Sequence, residues 1–193
     1  ALSHRNVKRI MGLSGIAQAG YMLVGVLAAF HIQELAIQGL LFYLSAYLLA
    51  SYAVFGVMTW NAGEDDAGQI LDDYLDLGKK HPALGFVLVI GLASLAGIPP
   101  LAGFIGKFVL FVAAWKAGLT TLLFIAIVGV ASSIFYYFGW IQEATFKFWK
   151  AKDPTGHEDN QAPETRGIAP IYLWALILIT AATVVLGFYQ EFL

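Results

Sequence analysis

Five stretches of this 193-residue chain are apolar for long enough to cross a bilayer as helix, and that limits its fold more than any other feature. They run approximately over 10–30, 38–60, 83–115, 119–142 and 169–190; one helical crossing takes ~20 residues. Charged residues fall almost entirely between them. Hydrocarbon offers no water to backbone N–H and C=O groups, so each stretch must satisfy them internally as helix. Only 12% of residues are charged and the mean hydropathy is +0.72, whereas a soluble domain carries ~25% charge. The expected fold is all-α, a polytopic transmembrane helical bundle in which 1–193 form a single membrane fragment with five spans.

The net charge of −2 gives no reason to expect a nucleic-acid partner. The absence of cysteine excludes thiolate metal sites, iron–sulfur ligation and disulfides in this chain. Its start, ALSHRNVKRI, has neither an initiator Met nor a signal-peptide pattern, so the chain is expected to begin inside a longer sequence.

Two polar segments separate the spans. Segment 61–82 carries six carboxylates, two lysines and a histidine, which predicts a solvated connection. Segment 147–167 is polar and contains proline, which predicts a flexible loop. If the five spans alternate, one side of the membrane receives Arg5, Lys8, Arg9, Lys79, Lys80, Lys147, Lys150, Lys152 and Arg166, and the other only Lys116. Basic residues accumulate on the cytoplasmic side, so the start of the chain is expected there and its C-terminus opposite. Trp60, Trp115, Trp140 and Trp174 fall near predicted span ends, where interfacial aromatic belts sit.

The third stretch is 33 residues long and carries SLAGIPPLAGFIGK at its middle. Pro99 and Pro100 remove two backbone donors and clash with the preceding turn, so one continuous helix cannot pass. Gly97, Gly103 and Gly106 flank the break. Two half-helices are expected, with freed carbonyls buried in protein or lining a wet cavity; such discontinuous helices mark ion and substrate sites in transporters. The plainer alternative is a proline kink held by neighbouring helices.

Lys107 lies early in the second half, with FVLFVAAW following. A charge at mid-membrane costs ~2.5–3.5 kcal/mol on insertion scales and usually faces a bundle interior or water. The alternative is a lysine that snorkels to the interface. No carboxylate lies inside a span core, so any acidic partner must come from elsewhere. Lys107 is therefore the leading candidate for a functional residue in this chain. Gln18, Tyr21, Ser132 and Tyr136 are candidate linings for a hydrated path, drawn from a wider set that includes Tyr43, Ser45, Tyr47, Ser51, Ser133 and Tyr137. Hydroxyls and small residues also serve helix packing in lipid. His4, His31, His81 and His157 are dispersed without metal-ligand spacing, and no metal or cofactor site is expected.

Four stretches carry a resemblance: ALSHRNVKRIMGLSGIAQAGYMLVG (1–25), FYLSAYLLASYAVFGV (42–57), LASLAGIPPLAGFIGKFVLF (92–111) and SSIFYYF (132–138). They resemble the antiporter-like subunits of the proton-pumping NADH:quinone oxidoreductase, respiratory complex I, and most of all the C-terminal part of its subunit N. Mrp-type cation/proton antiporters share the family and supply the alternative function, a redox-independent antiporter subunit.

The resemblance implies about fourteen helices in a complete member, in two inverted repeats that each hold a broken helix. The five spans here would be the last five, and Lys107 the buried lysine of the second broken helix, which the resemblance makes the catalytic residue as proton carrier. It also implies a non-redox role for this chain in an energy-transducing membrane such as the bacterial inner membrane. Flavin, iron–sulfur clusters and quinone would belong to partner subunits. The other partners would be the bilayer, antiporter-like neighbours and the subunit's own missing N-terminal helices. This sequence departs from the family where it reads GLSGI, lacking a tyrosine and a second serine, and where Gln18 replaces a histidine. These departures weigh against a hydroxyl or imidazole relay in that stretch.

Overall fold

The computed structural model describes residues 4–63, 68–75, 77–145 and 168–188. The predicted loop 147–167 lies outside them. Helices dominate, and among the described residues no strand forms. In order they are α1 (Val7–Ala29), α2 (Gln33–Ala62), the four-residue α3 (Leu77–Lys80), α4 (Pro82–Ala96), α5 (Ala102–Lys116), α6 (Thr120–Thr145) and α7 (Pro170–Phe188). A 3-10 turn, Leu71–Tyr74, precedes α3.

Four helices, α1, α2, α6 and α7, are long and apolar enough to cross a membrane, and α4 is a shorter apolar helix. Local chemistry sets several of the ends. Asn6 caps α1, its side-chain oxygen accepting the Arg9 N–H at 3.1 Å. Pro82 opens α4 at a position where no backbone donor is needed. Gly118, in the left-handed region at φ 75°, turns the chain from α5 into α6.

The helix ends fall into two groups. At one end, the residues before α1 join the segment after α2. Val7 N–H donates to Gln69 O at 2.8 Å, Leu71 N–H donates to Arg5 O at 2.9 Å, and Arg5 pairs with Asp72 at 2.6 Å. The start of α4 and the end of α6 join the same group, in a core holding Tyr74, Leu77, Leu84, Trp140 and Ala144. At the other end, Ala28, Ala36 and Ala113 pack with Leu119. The helices α4 and α5 have 15 residues each, about 22 Å of rise, short of a ~30 Å hydrocarbon core.

Close crossings use small residues, as expected where lipid removes the hydrophobic drive between helices. A Cβ on Gly106 would come within 2.9 Å of Tyr43 Cα, and one on Gly39 within 2.8 Å of Val109. The outer faces are apolar. Ile16, Phe30, Phe124, Phe135, Ile171 and Val185 are each more than 60% exposed, a surface that suits lipid or further protein and not water.

Two expectations need correction. The described part of segment 61–82 is not simply solvated, because Tyr74 and Leu77, spaced among its carboxylates, are buried against the bundle. Trp140 stands near the end of α6 but not on its outward surface. It is fully buried and meets the Tyr74 ring edge-on at 5.3 Å, whereas Trp115 and Trp174 are both exposed. The folded-back segment covers Trp140, and a span-end position alone could not reveal that cover.

Candidate functional site

The site is built where α4 stops. Gly97 ends α4 with φ 84°, a left-handed conformation that suits glycine, and its N–H bonds back to the Ala93 and Ser94 carbonyls. A Cβ at Gly97 would also sit 3.3 Å from Lys107 Cδ, so the position is constrained twice. The chain then passes through Pro99 and Pro100, and α5 begins after Leu101.

In a continuous helix the Leu95 carbonyl would accept from the N–H of residue 99. Residue 99 is proline and has none. A buried carbonyl without a donor costs about 1–3 kcal/mol, so another group must supply one. Two groups do. Lys107 Nζ donates to Leu95 O at 2.7 Å, and Gln18 Nε2 donates to the same oxygen at 3.1 Å. Thus the proline at position 99 leaves free the acceptor that Lys107 Nζ reaches.

Lys107 is 3% exposed, projecting inward from α5. Besides the Leu95 carbonyl it meets the face of Tyr21, with Nζ 5.3 Å from the ring centroid. The negative face of an aromatic ring is favourable for a cation, and more so once water is removed. Its described surroundings hold carbonyl, amide and phenol groups rather than a carboxylate.

Gln18 links this centre to hydroxyls on three helices. Its Oε1 accepts from Tyr43, and its Nε2 reaches Tyr137 Oη at a weak 3.5 Å. Tyr137 and Ser14 are hydrogen-bonded hydroxyl to hydroxyl. Ser14, Gln18, Tyr43 and Tyr137 are all no more than 2% exposed. The polar string therefore runs Ser14–Tyr137–Gln18–Leu95 carbonyl–Lys107, with Tyr43 as a branch. The Tyr21 hydroxyl is buried without a hydrogen-bond partner, facing Gly129 of α6.

The residues expected from sequence divide accordingly. Lys107, Gly97, Pro99, Gln18 and Tyr21 come together. Pro100 lies beside them in the break, its carbonyl against Gly187 of α7. Gly103 and Gly106 line the inner side of α5, against Ser94 and Tyr43 respectively. Tyr136 is half-buried at the margin, its ring tilted against Tyr137 with centroids 4.5 Å apart. Ser132 is not brought to the cluster: it is exposed, and its hydroxyl donates to the Val128 carbonyl of its own helix. One residue further on, α6 turns inward, so Ser133 and Tyr137 are the buried hydroxyls of that helix.

Ser14 and Ser94 were not singled out by sequence. Ser14 stands four residues before Gln18, one helical turn on the same face, a spacing that could have marked it. Ser94 carried no such signal, because its role depends on where α5 returns.

The comparisons with known proteins agree with this architecture. A family model described as NADH:quinone oxidoreductase/Mrp antiporter, TM, matches residues 1–134. NADH-quinone oxidoreductase subunit N 1 of Opitutus terrae is 48% identical over 98% of this chain and 37% of its own length. NADH-quinone oxidoreductase subunit N of Chlorobium chlorochromatii is 36% identical over 93% of this chain and 34% of its own. Among solved structures, a chain of respiratory complex I from Thermus thermophilus with bound Aureothin has a TM-score of 0.73 at 28% identity, covering 96% of this chain and 39% of that one. The chain thus spans about a third of the length of these relatives. With a matched segment covering most of its residues, the chain belongs to the NADH:quinone oxidoreductase/Mrp antiporter transmembrane family.

Proposed function

We propose that this chain contributes part of a proton-translocation channel in the membrane arm of an NADH:quinone oxidoreductase, as the C-terminal portion of a subunit like N. In this reading α4 and α5 are two halves of one discontinuous span, the third of five. The start of α4 and the end of α5 lie at opposite ends of the bundle, and neither half is long enough alone. The end carrying Arg5, Lys8, Arg9, Lys79 and Lys80 faces the cytoplasm. Both relatives named above carry the oxidoreductase name, which favours this function over a redox-independent Mrp-like antiporter.

Lys107 is the proton carrier. The supporting observation is its burial on a carbonyl that Pro99 frees, within a string of hydroxyl and amide groups. As an ammonium it is held by Leu95 O and the Tyr21 face. On release of one proton to a neighbouring acceptor it becomes an amine whose lone pair can take up the next. The missing remainder of the subunit and antiporter-like neighbours would supply acidic groups, and partner subunits would hold the flavin, iron–sulfur clusters and quinone. This chain would take no part in redox chemistry.

The test is NADH-driven, quinone-linked proton uptake in membrane vesicles, with assembly checked on native gels. Lys107→Ala and Lys107→Met lack a titrating group and should assemble without pumping. Lys107→Arg keeps a charge it cannot release and should also fail, while Lys107→His should retain partial activity because imidazole exchanges protons near neutrality. An assembled Lys107→Ala complex that pumps normally would overturn the proposal.

A further inference from the structure

Two adjacent residues of α4 hold two residues of α5 that lie one helical turn apart. The Leu95 carbonyl accepts from Lys107, and the Ser94 hydroxyl oxygen accepts the Gly103 N–H at 3.2 Å. Gly103 lies in the first turn of α5, where backbone N–H groups have no intrahelical acceptor. Such groups are normally satisfied by a polar residue at the helix's own N-cap. Here that position is Leu101, which has no side-chain oxygen and makes no capping bond. The cap comes instead from the other half-helix, across the break.

A cap within one helix fixes only a local end. This one fixes the approach of α5 to α4. Ser94 is fully buried, and the contact is close enough that a Cβ on Gly103 would overlap the Ser94 carbonyl. Because Lys107 follows Gly103 by four residues, it leaves α5 on the same side, one turn further along. If the Ser94 tie is lost, α5 can shift relative to α4 and Nζ moves away from the Leu95 carbonyl; hydrogen bonds weaken steeply as their geometry departs from the ideal.

We infer that Ser94 is a positioning residue for proton transfer, its hydroxyl capping α5 from α4 and so setting the distance between the Lys107 amine and the Leu95 carbonyl. The inference rests on the reading of Lys107 as proton carrier. Among the described residues, Tyr21 from α1 is the titratable group on Lys107 itself, and Tyr43 from α2 and Tyr137 from α6 lie one step away through Gln18, with Tyr136 beside Tyr137; α4 presents backbone, and α7 meets the break at Gly187.

The test is the pH profile of proton pumping by the complete complex in its membranes. The Leu95 bond favours the ammonium over the amine. Loosening it lets the proton leave at lower pH, so Ser94→Ala should move the alkaline limb of the profile towards acid by about one pH unit, the effect of losing much of one hydrogen bond to a charged group. Ser94→Thr keeps the oxygen and should restore the wild-type limb. If Ser94→Ala does not assemble, Ser94→Cys has nearly the same shape with a weaker acceptor and should show a smaller shift in the same direction. A serine needed only for packing would lower the amount of complex without moving the profile. An assembled Ser94→Ala or Ser94→Cys complex with an unmoved limb overturns the inference. If that result accompanies inactive Lys107 variants, the Lys107 reading stands and only the role of Ser94 fails.

Discussion

The Leu95 carbonyl should behave as a shared debtor of Lys107 and Gln18, and a double-mutant cycle can measure that. Lys107→Met keeps most of the side-chain volume but removes one donor, leaving Gln18 at 3.1 Å. Gln18→Leu removes the other, leaving Lys107 at 2.7 Å. Either single change leaves the carbonyl one partner. The double change leaves none, because the residue that would serve it in a continuous helix is Pro99. An unsatisfied buried acceptor costs about 1–3 kcal/mol, and this should appear as coupling beyond the sum of the single effects. Gln18→Leu also strands the Tyr43 hydroxyl, and Lys107→Met also removes a buried amino group. To first order each effect is present with and without the other change, so the cycle subtracts both. The assay is retention of this subunit in the detergent-solubilised complex on heating, read on native gels. The double variant should be roughly 5- to 150-fold further towards loss than additivity allows, the factor that corresponds to the free-energy range above. Additive losses, within about 0.5 kcal/mol, would refute the claim that the two side chains share this carbonyl.

Gly106→Ala should destabilise the α2–α5 crossing by about 1–3 kcal/mol, because the new Cβ meets backbone that cannot rotate away. The helix preference of alanine returns at most about 1 kcal/mol. The amount of assembled subunit should fall several-fold at equal expression, and an unchanged level would contradict the 2.9 Å approach to Tyr43 Cα. This chain has no cysteine, so Gln33→Cys or Asp73→Cys adds the single thiol within it, read on the subunit after purification. In intact cells an impermeant thiol reagent should reach Gln33→Cys but not Asp73→Cys, and the reverse pattern would invert the proposed orientation.

Much of the architecture follows from local chemistry. Helical spans at 10–30, 38–60, 119–142 and 169–190 anticipate α1, α2, α6 and α7, because a long apolar run without charge has few ways to satisfy its backbone in lipid. Their ends moved by several residues: α2 begins at Gln33 and α6 continues to Thr145. Glu34 is tolerated in the first turn of α2, where a carboxylate suits the positive end of the helix. Pro99 and Pro100 withdraw two donors wherever the segment is placed, and α4 ends before them while α5 begins after them.

The sequence by itself thus determined that the chain is a helical bundle suited to lipid, where its third apolar stretch must stop, and that Lys107 stands out within it. These properties belong to single residues or to runs of neighbours. Tertiary structure alone decided which groups Lys107 meets. Gln18 lies 77 residues from Leu95, and Ser14 lies 123 residues from Tyr137. It also decided that Ser133 and Tyr137 turn inward while Ser132 turns out, and that Trp140 is buried under a segment that read as solvated. The physical reason is that a helix facing lipid on one side and protein on the other can be apolar all round. Hydrophobic periodicity then no longer marks the inner face, and only contacts between helices do.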